Sequence, residues 1–132
     1  MKRILLDTHA MVWFIEGSNQ LSSTARQLIE DPKNEVFVSM TSFFEMTIKL
    51  KLGKLTLKKS LEGIYEDTLL ASILILPILE QHIFEYQNIP IVENHKDPFD
   101  KLIIATAMVE DLEIITTDSK FVLYQDLVKT IW

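Results

Sequence analysis

"RILLDTHAMVWFI", residues 3–15, decides how the chain begins to fold. After Arg3 its strand-like part, Ile4 to Leu6, is apolar without alternation, the pattern of a strand buried on both faces. From Ala10 to Ile15 the apolar residues continue in a helical stretch, and one acid, Asp7, stands between the two. If this strand-then-helix pattern repeats, the sheet is parallel and covered on both sides.

The pattern does repeat. Short apolar, β-prone runs occur at Arg3–Leu6, Glu35–Ser39, Ile73–Leu76, Glu113–Thr116 and Val128–Trp132. Helical stretches are expected over Ala10–Ile15, Thr24–Glu30, Phe43–Leu52, Leu61–Leu70, Glu80–Tyr86, Pro98–Asp111 and Lys120–Tyr124, several of them opened by Ser, Thr or Asp. The expected fold is α/β, a three-layer α/β/α sandwich around a central, mainly parallel five-stranded sheet. No repeat or Pro/Gly-rich linker divides the chain, and Gly17, Gly53 and Gly63 fall at plausible breaks, so residues 1–132 are expected to form a single domain.

Composition narrows the function. A chain of 132 residues with 48% hydrophobic and 24% charged residues can bury a core, and with no cysteine it has neither disulfides nor thiolate metal sites. Cytoplasmic residence is the default expectation. The basic start "MKR" resembles a signal peptide, but Asp7 interrupts the apolar stretch, so no export signal is expected. The run at 69–79 contains Ser72 and Pro77 and is too short to span a bilayer, so no membrane segment is expected. The net charge of −6 opposes gripping nucleic acid by general electrostatics. Between Glu45 and Glu62, however, lie Lys49, Lys51, Lys54, Lys58 and Lys59 with no acid, either a solvated face or a strip for a polyanion.

Ligands of open parallel sheets bind beyond the carboxyl ends of the strands. An acid stands at four such places: Asp7 after the first strand, Glu45 after the second, Asp118 after the fourth, and Asp100 at the start of the helix that feeds the fourth strand. Each also has a plain structural reading. Asp7 and Asp118 suit helix N-caps, "SFFE" at 42–45 reads as a capping box with Ser42 at the N-cap and Glu45 at N3, and in "DPFD" at 97–100 Asp97 reads as N-cap and Asp100 as N3. If the four converge, each pair about 5 Å apart repels by roughly 3 kcal/mol at an effective dielectric near 20. Such a cluster must protonate or bind cations. Carboxylate-only coordination suits Mg²⁺ or Mn²⁺ and not zinc. Setting these four acids aside leaves a charge of −2, so bound metal would cancel much of the acidity that opposes a phosphate substrate.

"LLDTHAMVWFI", "VSMTSFFEMTIKLKLGKL", "HKDPFDKLIIATAMVE" and "IITTDSKF" together resemble the PIN-domain ribonucleases, specifically the VapC-type toxins of bacterial type II toxin–antitoxin pairs. The four ordered motifs cover essentially the whole chain. The resemblance implies a parallel sheet with helices on both faces and an acidic cluster of Asp7, Glu45, Asp100 and Asp118 that binds Mg²⁺, or Mn²⁺ in its place, and cleaves RNA. It implies 3′-hydroxyl and 5′-phosphate products, a VapB-like antitoxin that can place a basic side chain in the acidic pocket, and a homodimer. It gives Asp97 the capping role and Asp100 the metal-site role. Thr8 and Thr116 occupy hydroxyl positions of the motifs, where they orient carboxylates or are ordinary strand-end threonines. His9 and His95 stay outside the catalytic set, as polar surface or hydrogen-bonded histidines.

The expected mechanism is attack on an RNA phosphodiester by water activated at one or two divalent ions, with Lys49, Lys51 and Lys54 steering the strand. Two other readings remain open at this point. A receiver-like phosphoacceptor domain also gathers acids at a sheet edge, but it wants paired acids after the first strand, and Asp7 stands alone. A non-catalytic α/β binding module would use the same acids only as caps.

Overall fold

A computed structural model describes residues 1–93 and 95–132. Its elements run β1 (Arg3–Leu6), α1 (Thr8–Glu16), α2 (Ser23–Glu30), β2 (Glu35–Ser39), α3 (Met40–Lys51), α4 (Leu61–Leu70), β3 (Leu74–Leu76), α5 (Glu80–Tyr86), α6 (Pro98–Glu110), β4 (Glu113–Ile115), a 3₁₀ helix (Ser119–Tyr124) and β5 (Thr130–Ile131). The strands form one sheet in the order β3-β2-β1-β4-β5, and every pairing in it is parallel.

Side chains alternate across a strand, so each strand feeds two cores. Ile4, Leu6, Val36, Val38 and Ile115 point to a layer containing Met11 and Val12 of α1, Ile29 of α2, Met46 of α3 and Ile64 of α4. Leu5, Phe37 and Ile114 point the other way, onto Ile103, Ile104 and Ala107 of α6 and onto Phe121 and Tyr124 of the 3₁₀ helix. That double demand explains why β1, β2 and β4 read as unbroken apolar runs. The connections β1–β2 and β2–β3 step one way along the sheet over the first layer. The connection to β4 steps back the other way over the second layer, so all these crossovers share one hand. The reversal puts a switch point between β1 and β4, where the order opens a crevice at the carboxyl edge. It also separates the chain from a receiver-like domain, whose strand order is 2-1-3-4-5.

Several boundaries differ from those expected, each for a local reason. Asp7 accepts from the Ala10 N–H, so α1 starts directly at Thr8. Ser39 accepts from the Thr41 N–H, so α3 starts as soon as β2 ends, and the capping-box reading of "SFFE" fails: Ser42 is a buried helical residue and Glu45 lies in the second turn. Gly63 is not a break but part of α4, where its N–H donates to the capping hydroxyl of Ser60 at 3.0 Å. Gly17 does end a helix, in the left-handed conformation that glycine adopts without steric cost. β3, β4 and β5 are each shorter than expected. No helix among the described residues is long and apolar enough to cross a membrane.

Candidate active site

The four acids approach one another at the carboxyl edge of β1, β2 and β4. Asp7 follows β1 directly and is buried, with 6% of its surface exposed. Its Oδ1 accepts from the Ala10 N–H at 2.7 Å and its Oδ2 accepts from the Thr116 hydroxyl. Thr116, just past β4, also accepts from the Asp118 N–H at 3.1 Å, so one hydroxyl links the first acid to the backbone of the fourth. Burial pushes the Asp7 carboxyl up to about 6, and the neighbouring charges of Asp118 and Glu45 add to that, while the two hydrogen bonds hold it down.

Glu45 points inward from α3 and is 2% exposed. Its Oε1 accepts from the Thr8 hydroxyl at 2.6 Å, Thr8 Oγ1 lies 3.0 Å from Ser42 Oγ, and Lys49, one turn further on, pairs with Oε2. A buried carboxylate without such partners would cost several kcal/mol, roughly. Lys49 is held in its charged form chiefly by Glu45, with Asp97 and Asp100 helping, against the desolvation that opposes it.

Asp100 sits at N3 of α6 behind Asp97, which caps the helix through the Phe99 and Asp100 N–H groups at 2.9 and 3.3 Å. Its Oδ2 lies 2.9 Å from Nε2 of His95, and Nδ1 of that ring lies 2.7 Å from the Tyr124 hydroxyl. A neutral ring donating from Nε2 to the carboxylate and accepting from the tyrosine satisfies all three groups. Burial raises the Asp100 carboxyl to about 6, with Asp97, Glu45 and Asp118 adding repulsion and His95 opposing. Asp118 itself is exposed and caps the 3₁₀ helix through the Lys120 N–H at 2.9 Å.

The structure therefore sets Glu45 and Asp118 close enough to repel both Asp7 and Asp100, with Thr8 bonded to Glu45 and Thr116 to Asp7. Among the described residues no three His, Asp or Glu side chains stand close enough to hold one ion; Asp7, Glu45 and Asp100 are bonded instead to Thr116, Thr8 and His95. Lys49 belongs to this cluster, whereas Lys51 and Lys54 are exposed beyond it. His9 is exposed. Sequence reasoning missed the supporting roles of Ser42 and Tyr124 and the direct bond from His95 to Asp100. The only sequence signal for the last was the His–Asp spacing across the Pro98 helix start, which acquires meaning once the Val92–His95 bridge folds the segment back.

The fold and the site define the class: a doubly wound α/β domain with the buried acids Asp7 and Glu45 at its switch point. The PIN domain family model matches residues 4–127, and the chain belongs to that family. Among solved structures it is similar to VapBC2 from Rickettsia felis bound to a promoter DNA fragment, with a TM-score of 0.64 at 16% identity over 98% of both chains. It is also similar to FitAcB from Neisseria gonorrhoeae, TM-score 0.63 at 22% identity, covering 98% of this chain and 96% of that one. A third is VapBC-1 from nontypeable Haemophilus influenzae, TM-score 0.59 at 18% identity over 98% and 96%. Comparison with curated proteins found no match.

Proposed function

We propose that this chain is a divalent-metal-dependent endoribonuclease and the toxin of a toxin–antitoxin pair. The observation that carries the reading is the buried Asp7 and the partly buried Asp100 at the switch point, each raised to about 6 by desolvation and by the acids around it. A protein gains nothing in stability from such an arrangement, whereas a cation among the acids offsets the repulsion. The donor set fits Mg²⁺ or Mn²⁺: every candidate ligand is a carboxylate oxygen, with no cysteine in the chain. By donor chemistry Asp7, Asp100, Glu45 and Asp118 would hold the ion, drawing closer together than they stand here. When bound, it supplies Lewis-acid chemistry, lowering the pKa of water and balancing charge on a phosphodiester.

The chain's own residues do the rest. Thr116 and the Ala10 N–H keep the Asp7 carboxylate aimed from the end of β1, Thr8 orients Glu45, and His95 orients Asp100. Lys49 balances Glu45, and its ammonium would supply positive charge to a phosphate brought to this edge. Lys51 and Lys54, exposed on and just beyond α3, steer the RNA backbone toward the edge. The similar structures include assemblies named as VapBC and as a toxin–antitoxin complex. On that likeness we assign a VapB-like antitoxin as partner; the motif resemblance supports a homodimer as the working form, and the cysteine-free composition supports the cytoplasm as the place of action.

The test is hydrolysis of single-stranded RNA by the purified chain with Mg²⁺, with Mn²⁺ and with EDTA. Cleavage that needs the ion and disappears in Asp7→Asn supports the assignment. Cleavage that continues in EDTA, or survives that substitution, overturns it.

A further inference from the structure

The rings of His9 and Trp13 stand on α1, the helix that Asp7 caps, and take no part in the chemistry proposed above. They sit one turn apart on α1, their centroids 5.7 Å apart, and His9 is exposed while Trp13 is half-buried. Trp132 meets Trp13 edge to face at 5.9 Å and 66°, which fixes the plane of the Trp13 ring. Trp132 follows Ile131, whose carbonyl accepts from the Thr116 N–H at 3.1 Å, and Thr116 holds Asp7. The rings are thus connected by two short routes to the first acid, one along α1 and one through β5.

They also wall a groove of about 470 Å³ whose other lining mixes the apolar Val12 and Leu55 with polar side chains, Asn19, Gln20, Thr56 and Lys58 among them, and with Glu16. Its far side is anchored, because the Lys58 N–H donates to Glu16 Oε2 at 2.7 Å and so ties the lysine-bearing loop to the end of α1. Flat rings supply π-faces for a base, amide side chains supply paired donors and acceptors for base edges, and lysine supplies charge for a phosphate. An apolar peptide would leave those amides without partners. Trp13 and Trp132 also pack against the core, but His9 is exposed and is not part of it.

We propose that His9 and Trp13, braced by Trp132, form a stacking platform for an unpaired nucleobase of the RNA, next to the nucleotide whose phosphate enters the acidic edge. The proposal rests on the nuclease reading for its substrate class, but its test does not need hydrolysis. The chain has two tryptophans, so Trp132→Phe leaves Trp13 as the sole indole emitter and keeps an aromatic edge against it. In an Asp7→Asn background, which retains a capping side chain, a ten-nucleotide single-stranded RNA labelled at one end is titrated in Mg²⁺ while anisotropy and Trp13 emission are followed together.

The expected result is quenching of Trp13 that saturates with the anisotropy change, and binding about 5- to 100-fold weaker in Trp13→Leu. His9→Ala, a change at an exposed position, is expected to weaken binding several-fold with the melting temperature unchanged. In the otherwise wild-type chain it should raise KM with kcat preserved. Binding without any change in Trp13 emission, or binding equally tight in both variants, overturns the platform while leaving the nuclease reading intact. Quenching with no hydrolysis by the wild-type chain supports the platform and overturns the nuclease reading. No binding by either readout overturns the platform.

Discussion

The Thr116 hydroxyl donates to Oδ2 of Asp7, joining the end of β4 to the end of β1 across 109 residues of chain. That bond lowers the carboxyl that burial raises, leaving it at about 6. Thr116→Val removes the donor and is expected to cost about 10- to 100-fold in Mg²⁺-dependent cleavage, with Thr116→Ser restoring most of it. Steady-state rates of the two variants at one pH decide the matter; equal loss in both would mean that the methyl, not the hydroxyl, is what counts.

Asp7→Asn separates metal binding from folding. Asparagine caps a helix about as well as aspartate, so α1 keeps its start, and a buried charge is removed. The melting temperature without metal should therefore stay level or rise. In the native chain, Mg²⁺ at about 100 times its dissociation constant stabilises by roughly 2.7 kcal/mol through mass action. Thermal scans with and without Mg²⁺ should show that rise in the native chain and little of it in Asp7→Asn.

The pH dependence has a definite sign. Asp7 and Asp100 sit at 3.8 when unfolded and at about 6 when folded, so the folded chain holds more protons between those values. Their contribution to stability is full below about 4 and is lost as pH rises through about 6. In EDTA the melting temperature should fall between pH 5 and pH 7.5, and it should fall less in Asp7→Asn. Added Mg²⁺ should act oppositely, stabilising more at pH 7.5 than at pH 5, because ligation requires the ionised carboxylates. Scans at the two pH values with EDTA and with Mg²⁺ give all four quantities.

His95 is tested by a pair of substitutions. His95→Phe removes the donor to Asp100 and leaves the buried Tyr124 hydroxyl without its partner, which costs about 1–3 kcal/mol. Adding Tyr124→Phe removes the orphaned hydroxyl and should recover stability without recovering cleavage. If the double variant regains both, His95 supports the core and does not position Asp100. Denaturant melts alongside cleavage rates separate the two outcomes.

Much of the architecture is legible in the sequence because its signals are local. Apolar runs with no alternation announce strands covered on both faces, and Pro98 behind Asp97 announces the start of α6. Glu45 shows where local reading stops. "SFFE" has the form of a capping box, yet Ser39 caps α3 one turn earlier, and only the packing of α3 against α1 turns Glu45 toward Thr8. Lys49 reads equally well as a solvated charge, until the helix places it one turn from a buried carboxylate.

The order of apolar and polar residues determined, by itself, that this chain forms parallel strands with helices on both sides and that acids follow the strands, since periodicity and capping depend on neighbours within a few residues. Which strand lies beside which, and hence that Asp7 meets Thr116 and Asp100 meets His95, was decided only when β4 paired with β1 and the turn before α6 closed. Those encounters join residues far apart in the chain or across a turn, and no local preference encodes a distance between them; packing does.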